Sequence, residues 1–292
     1  MLIAGPTAGG KSGAALALAE RSSGAIINCD SMQVYRELRV LTARPPEADE
    51  ARAPHVLYGH VPVTERYSAG QYIDDAARAL AEAQAGGRIA IFVGGTGLYF
   101  EALEKGLSPV PPVPADVREE NRARIAAIGA EAFFDEFAVR DPETAARLRP
   151  SDAQRVLRAA DVLDATGRPL ARWQETAGKP VLAKMSVARF VIAPDREELY
   201  RRIDARFDSM IAAGALEEVR ALAGLDPALP AARALGVPQL LRHLRGEISL
   251  AAAAEEAKRE TRRYAKRQLT WLRNRMPDWR WIEDAAALDI RD

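Results

Sequence analysis

The sequence predicts an α/β protein: a parallel sheet flanked by helices and interrupted by an all-helical insertion domain. Three observations carry this. Short runs that are apolar at almost every position, Leu2-Ile3-Ala4, Ala25-Ile26-Ile27-Asn28-Cys29 and Ile89-Ala90-Ile91-Phe92-Val93, alternate with helical stretches. Such runs suit strands covered on both faces, as parallel sheets are. Four prolines then fall within residues 108–114, which breaks both helix and strand. Beyond them the pattern is helical and rich in Ala and Arg until about Lys179, and an apolar run, Val187–Ala193, resumes only afterwards.

Taken in order, the first run opens almost at the first residue, leads into a glycine-rich loop and is followed by a helix over Ala14–Arg21. The second run ends at Asp30-Ser-Met-Gln-Val-Tyr35. An alanine-rich helix, Gln71–Ala85, stops at Gly86-Gly87, and the third run stops at Gly94-Gly95. After the insertion come a helix from Asp195 to Ala213 and a long final helix, Ala251–Arg275. The core is therefore expected over residues 1–112 and 185–292, and the insertion over 113–184.

Composition narrows the classes. Of 292 residues, 48% are hydrophobic and 28% charged, which supports a sizeable core and argues against disorder. One cysteine, Cys29, excludes an internal disulfide and a Cys-cluster metal site. The chain holds no run of about 18 apolar residues, so no transmembrane helix is expected. Its first residues lack the basic-then-apolar order of a signal peptide, and a cytoplasmic protein is the expectation. No period of the length that marks solenoids or propellers is found. The formal net charge of +0 hides 35 Arg against 6 Lys, many of them near the C-terminus.

Gly5-Pro-Thr-Ala-Gly-Gly-Lys-Ser12 matches the phosphate-loop pattern G-x-x-x-x-G-K-[ST] at each fixed position, with a strand before it and a helix after it. Glycines let backbone amides turn towards phosphate oxygens, and the helix N-terminus adds partial positive charge. Lys11 supplies a cation and Ser12 a hydroxyl suited to Mg²⁺. The fold class is accordingly P-loop NTPase-like. The motif names a polyphosphate without saying which one.

In open parallel sheets, ligands sit outside the C-terminal strand ends. Asp30, at such an end, can hold Mg²⁺, accept a proton, or simply cap a helix. Gly94-Gly-Thr-Gly97 either lets a ligand approach the backbone or is a plain turn.

Taken together, Gly5–Ser12, Asp30-Ser-Met-Gln-Val-Tyr35 and Gly94-Gly-Thr-Gly-Leu-Tyr99 resemble the bacterial tRNA dimethylallyltransferase (IPP transferase) family. So do Tyr67-Ser-Ala, Gln154-Arg-Val-Leu-Arg-Ala159, Asp195-Arg-Glu-Glu-Leu-Tyr-Arg-Arg-Ile203 and Lys266-Arg-Gln-Leu-Thr-Trp-Leu272, in the expected order over nearly the whole chain. The resemblance implies transfer of a dimethylallyl group from dimethylallyl diphosphate to N6 of the adenosine immediately 3′ of the anticodon, in tRNAs reading codons that begin with U. It implies that Gly5, Pro6, Thr7, Ala8, Gly9, Gly10, Lys11 and Ser12 hold the diphosphate, with Mg²⁺ on Ser12. Catalytic roles fall to Asp30, Lys11, Thr96 and Arg118. Contacts to the tRNA anticodon stem-loop fall to Asp30, Ser31, Met32, Gln33, Thr96, Arg118, Gln154, Arg155, Val156, Leu157 and Arg158. No membrane and no obligate protein partner are implied, and a monomer is expected. Two departures stand out: Leu41 replaces a usual glycine, and Val237-Pro238 replaces a tyrosine followed by a basic residue.

These residue types suit the chemistry. Breaking an allylic C–O bond builds negative charge on the leaving diphosphate, which amide dipoles, Lys11 and a Ser12-bound cation stabilise. The adenine amine is a weak nucleophile, and an ionised Asp30 can take its proton as the new bond forms.

From Lys258 to Arg275 there are eight basic residues and one acidic one, Glu260. Alone this stripe reads as a solvated surface; with the resemblance it reads as a phosphate-contacting helix, with Arg262 and Lys266 as candidate tRNA contacts. Arg155 and Arg158 share a helix face, with Asp152, Asp161 or Glu175 as alternative ion-pair partners. Trp173, Trp279 and Trp281 read as packing residues, and the three histidines show no metal spacing. Two other activities share the phosphate loop: a small-molecule kinase, and a prenyltransferase acting on free adenine nucleotides. Neither gives the basic helix a purpose.

Overall fold

The computed structural model describes residues 1–183 and 185–288. Six strands, β1 (Leu2–Ala4), β2 (Ala25–Asn28), β3 (His55–Val56), β4 (Ala90–Gly94), β5 (Arg189–Ile192) and β6 (Arg280–Ile282), form one sheet in the order β3-β2-β4-β1-β5-β6. Each neighbouring pair is parallel. Side chains alternate between faces as a strand period of two requires. Leu2, Ile27, Phe92 and Val191 enter one apolar cluster, whereas Ile3, Ile26, Ile91, Val93, Phe190 and Ile192 enter another. Both faces of the sheet are thus covered, which explains the absence of polar alternation in these runs.

Helices α1 (Lys11–Ser22), α2 (Glu47–Glu50), α3 (Ala69–Ala85) and α4 (Gly97–Lys105) belong to the first half of the chain. A second core, distinct from the two clusters on the sheet, lies outside it: Val34, Tyr35, Leu38 and Leu41 pack with Phe207, Val237 and Leu240. Leu41, 7% exposed, is a core residue here, and Val237 is fully buried. Both departures from the family pattern therefore fill this cluster.

Residues 105–180 form a separate compact unit made of α5 (Ala115–Ile128), α6 (Ala130–Arg140), α7 (Pro142–Ala145), α8 (Ala153–Thr166) and α9 (Leu170–Gln174). Its core is Phe133, Phe137, Ala145, Val156, Ala159 and Ala160. This helical unit runs from 105 to 180, where the sequence placed an insertion over 113–184. Its two ends run side by side: a Cβ on Gly106 would stand 2.5 Å from the Gly178 carbonyl carbon.

The chain then forms β5 and helices α10 (Arg196–Ala212), α11 (Ala215–Arg220), α12 (Val237–Leu244) and α13 (Leu250–Arg275). Among the described residues no helix is long and apolar enough to cross a membrane.

Candidate functional site

The registers Ala4↔Gly94 and Asn28↔Val93 bring the C-terminal ends of β1, β2 and β4 to one edge of the sheet. There a cleft of about 350 Å³ opens, lined by Lys11, Ser12, Asp30, Gln33, Arg202 and Arg206 together with the rest of the phosphate loop.

The loop has the geometry of an anion cradle. Gly10 precedes α1 at φ 89°, a left-handed conformation that glycine adopts without cost, and no side chain caps the helix. The first-turn amides of α1 have no intrahelical partners and remain available to an anion. Lys11 folds over the loop, and its Nζ donates to the Pro6 carbonyl at 2.6 Å. Burial pulls the Lys11 ammonium down to about 8, against the opposing pull of Asp30, while Arg206 adds to the depression.

Asp30 does not cap a helix. No helix follows it; its Oδ1 accepts the Met32 amide at 2.9 Å, while its own amide donates to Asn28 Oδ1 at 2.9 Å. The side chain is held in a turn and faces the cleft that Lys11 and Ser12 line. Thr96 accepts the Ser31 amide on Oγ1 at 2.9 Å and hydrogen-bonds the Ser31 hydroxyl. Its hydroxyl thus secures the residue beside Asp30. Gln33 donates through Nε2 to the carbonyls of Thr42 and Ala43, at 2.9 and 3.0 Å, so it anchors the far wall of the cleft. Met32 packs against the second core.

The glycines at 94, 95 and 97 let other parts of the protein come close, while Gly94 also lines the cleft. A Cβ on Gly95 would meet Gln268 Nε2 at 2.2 Å, and one on Gly97 would meet the Trp271 ring at 2.1 Å. Both contacts come from one face of α13. Gln268 donates through Nε2 to the Gly95 carbonyl and accepts the Thr7 amide on Oε1, each at 2.9 Å.

Sequence reasoning missed Arg206. It stands on α10, four residues beyond Arg202, so the two share a helix face and both line the cleft. Arg206 donates to the Thr7 hydroxyl. Burial lowers it to about 10 in spite of Asp30 nearby. A half-buried arginine beside the phosphate loop is a ready partner for phosphate oxygens. The four-residue spacing of Arg202 and Arg206 was the available signal.

On α13 the basic residues divide. Lys258 pairs with Asp208 and Glu255, Arg263 with Glu260, and Arg262 with Asp204 on α10. Arg262 thus carries an internal ion pair. Lys266 and Arg267 are exposed and carry no ion pair among the described residues, and Arg267 stacks over Tyr264. Trp279 and Trp281 pack against the main core, as expected.

Arg118 and the Gln154–Arg158 stretch lie in the helical unit. Val156 is fully buried there, so its side chain faces the core of this unit and not a tRNA, whereas Leu157 packs on the same core and is partly buried. Gln154, Arg155 and Arg158 are exposed. Arg155 pairs with Asp152 at 3.3 Å. Although Arg158 is exposed overall, partial desolvation lowers its guanidinium, with Asp161 opposing and the like charge of Arg118 adding to the effect. Arg118 and Arg158 therefore form one local concentration of positive charge.

The chain matches the family model described as IPP transferase over residues 33–275, and one described as Isopentenyl transferase over residues 1–58. A tRNA dimethylallyltransferase of Nitrobacter hamburgensis is 58% identical over 289 residues, covering 98% of this chain and 91% of that protein. One from Rhodopseudomonas palustris is 55% identical over 289 residues, covering 98% and 90%. Among solved structures, the full-length tRNA isopentenylpyrophosphate transferase of Bacillus halodurans superposes with a TM-score of 0.69 at 31% identity, covering 99% of this chain and 91% of that one. A eukaryotic dimethylallyltransferase described as acting on tRNA gives a TM-score of 0.81 at 26% identity, covering 97% and 73%. With its phosphate loop, its strand-end aspartate and near-complete relatives that are more than half identical, the chain belongs to the IPP transferase family.

Proposed function

We propose that this protein transfers a dimethylallyl group from dimethylallyl diphosphate to N6 of the adenosine 3′-adjacent to the anticodon, in tRNAs reading codons that begin with U. One observation carries the reading: a single cleft is lined by Lys11, Ser12 and Arg206 together with Asp30. That is a cradle for a departing anion beside a group able to take a proton.

The diphosphate lies on the free amides of α1, with Lys11 released from the Pro6 carbonyl to meet it and Arg206 alongside. As the allylic C1–O bond breaks, the electron pair leaves with the diphosphate, and these cations stabilise it in place. N6 of the adenine attacks C1, and Asp30 takes the proton that N6 loses. The base must leave its stack to reach a cleft of this kind. The enclosing walls keep water from the allylic group.

The residues fit a magnesium ion. The exposed Ser12 hydroxyl and the Asp30 carboxylate, both lining the cleft, are hard oxygen donors. No cluster of three carboxylate, His or Cys ligands exists among the described residues. Mg²⁺ commonly uses one or two protein oxygens plus substrate phosphates and waters. Ser12 would hold it, and it would add charge against the diphosphate. Arg118, Arg155, Arg158 and Lys266 are the candidate contacts to the anticodon stem-loop. We place the protein in the cytoplasm, acting as a monomer.

The assay offers labelled dimethylallyl diphosphate with tRNA, with AMP, or, in its place, labelled ATP with a hydroxyl acceptor. Label in tRNA with release of diphosphate is expected. Label on AMP would support the free-nucleotide prenyltransferase, and phosphoryl transfer from ATP the kinase.

A further inference from the structure

We propose that Gln268 is a positioning residue that fixes the diphosphate cradle relative to the proton acceptor. The proposal rests on the reading above, in which the cleft is the transfer site. Gln268 lies on α13 and is 6% exposed. Burying an amide costs free energy unless both of its ends are paired. Here both are, and the partners belong to different loops: Thr7 in the phosphate loop after β1, and Gly95 in the turn after β4. Gly95 precedes Thr96, whose hydroxyl holds the Ser31 amide, and Ser31 follows Asp30. A path of hydrogen bonds, with one peptide link between Gly95 and Thr96, therefore runs from the cradle, through one glutamine, to the residue beside Asp30.

Packing alone does not account for this side chain. Leu272, one turn further along α13, serves the core as a plain hydrocarbon. Gly95 has given up its Cβ to let the amide in, since that atom would stand 2.2 Å from Nε2. Neither Thr7 nor Gly95 is a charged group whose pairing would need a glutamine, so what the contact supplies is register. Displacements of about 1 Å at a reacting centre cost on the order of 10²-fold in rate.

The test uses the full chain and two kinds of variant. Gln268→Met keeps the length of the side chain and removes both hydrogen bonds. We expect kcat, and single-turnover transfer from the preformed complex, to fall about 10- to 100-fold. The dissociation constant for a tRNA anticodon stem-loop should stay within about threefold, because the exposed cations of α13 are untouched. Gly95→Ala should slow transfer by forcing the amide away. In a Gln268→Ala background the same methyl enters vacated space, so its extra cost should shrink to less than about threefold, a coupling that a double-mutant cycle reads directly. Melting curves accompany each variant. Transfer by folded Gln268→Met within threefold of wild type overturns the proposal. So does a Gly95→Ala cost that is the same in both backgrounds. Loss of the folded state in both Gln268 variants makes the residue structural and overturns it too. Failure of the wild type to prenylate tRNA at all would instead sink the underlying function.

Discussion

Lys11 lines the cleft with its ammonium depressed from 10.5 to about 8, chiefly by desolvation. A shift of that size corresponds to about 3 kcal/mol held against the charged form. A bound diphosphate reverses the balance, because it favours the charged form. Ligand affinity must then fall as pH rises through 8, since a growing share of the free protein has to be protonated before it can bind. If the bound lysine stays charged, the dissociation constant for dimethylallyl diphosphate should weaken about tenfold between pH 7 and pH 9. Folding carries the opposite sign. The folded pKa lies below the unfolded one, so the unfolded chain binds more protons between pH 8 and pH 10.5, and the free protein gains stability from this group as pH rises through that window. Equilibrium binding without tRNA reads the first effect, with Lys11→Arg as the control that stays charged. Denaturation of wild type against Lys11→Met reads the second. A flat wild-type affinity from pH 7 to pH 9, or the same slope in Lys11→Arg, refutes the reasoning.

Asp30→Asn keeps the turn that accepts the Met32 amide and removes the proton acceptor. Single-turnover transfer should drop about 10²–10⁴-fold while tRNA affinity changes by no more than a few fold, and normal transfer from the bound complex would make Asp30 a binding residue only. Lys266→Ala with Arg267→Ala should weaken tRNA binding and lower the slope of log affinity against log salt by about 1 unit per lost contact. An unchanged slope, measured at three salt concentrations, removes this helix from the RNA surface.

The sheet was legible where its strands are apolar at almost every position. β1, β2, β4 and β5 each alternate between two apolar faces, and their runs stand out from the sequence. β3, His55–Val56, and β6, Arg280–Ile282, are two and three residues long. Each opens on a polar or charged residue, His55 or Arg280, so neither stands out as an apolar run, and both are strands because a neighbour's edge is there to pair with. The phosphate loop and Asp30 were legible because their chemistry is written in consecutive residues. Arg206 was not, because its role depends on the face of α10 that meets the loop, and a helix of 17 residues offers several arginines to choose from.

The glycine turn shows the same limit from the other side. Gly94-Gly-Thr-Gly97 announces that something comes close to the backbone, and at a strand end beside a phosphate loop a ligand is the natural inference. What comes close is α13, through Gln268 and Trp271, from more than 170 residues away. A missing Cβ records a close approach without recording by whom. Here the two readings converge, because the helix that fills the space also carries Lys266 and Arg267 on its exposed face. One helix thus touches the phosphate loop on its inner side and presents cations on its outer side. Its basic stripe and its buried glutamine are adjacent in sequence because they serve opposite faces of the same element.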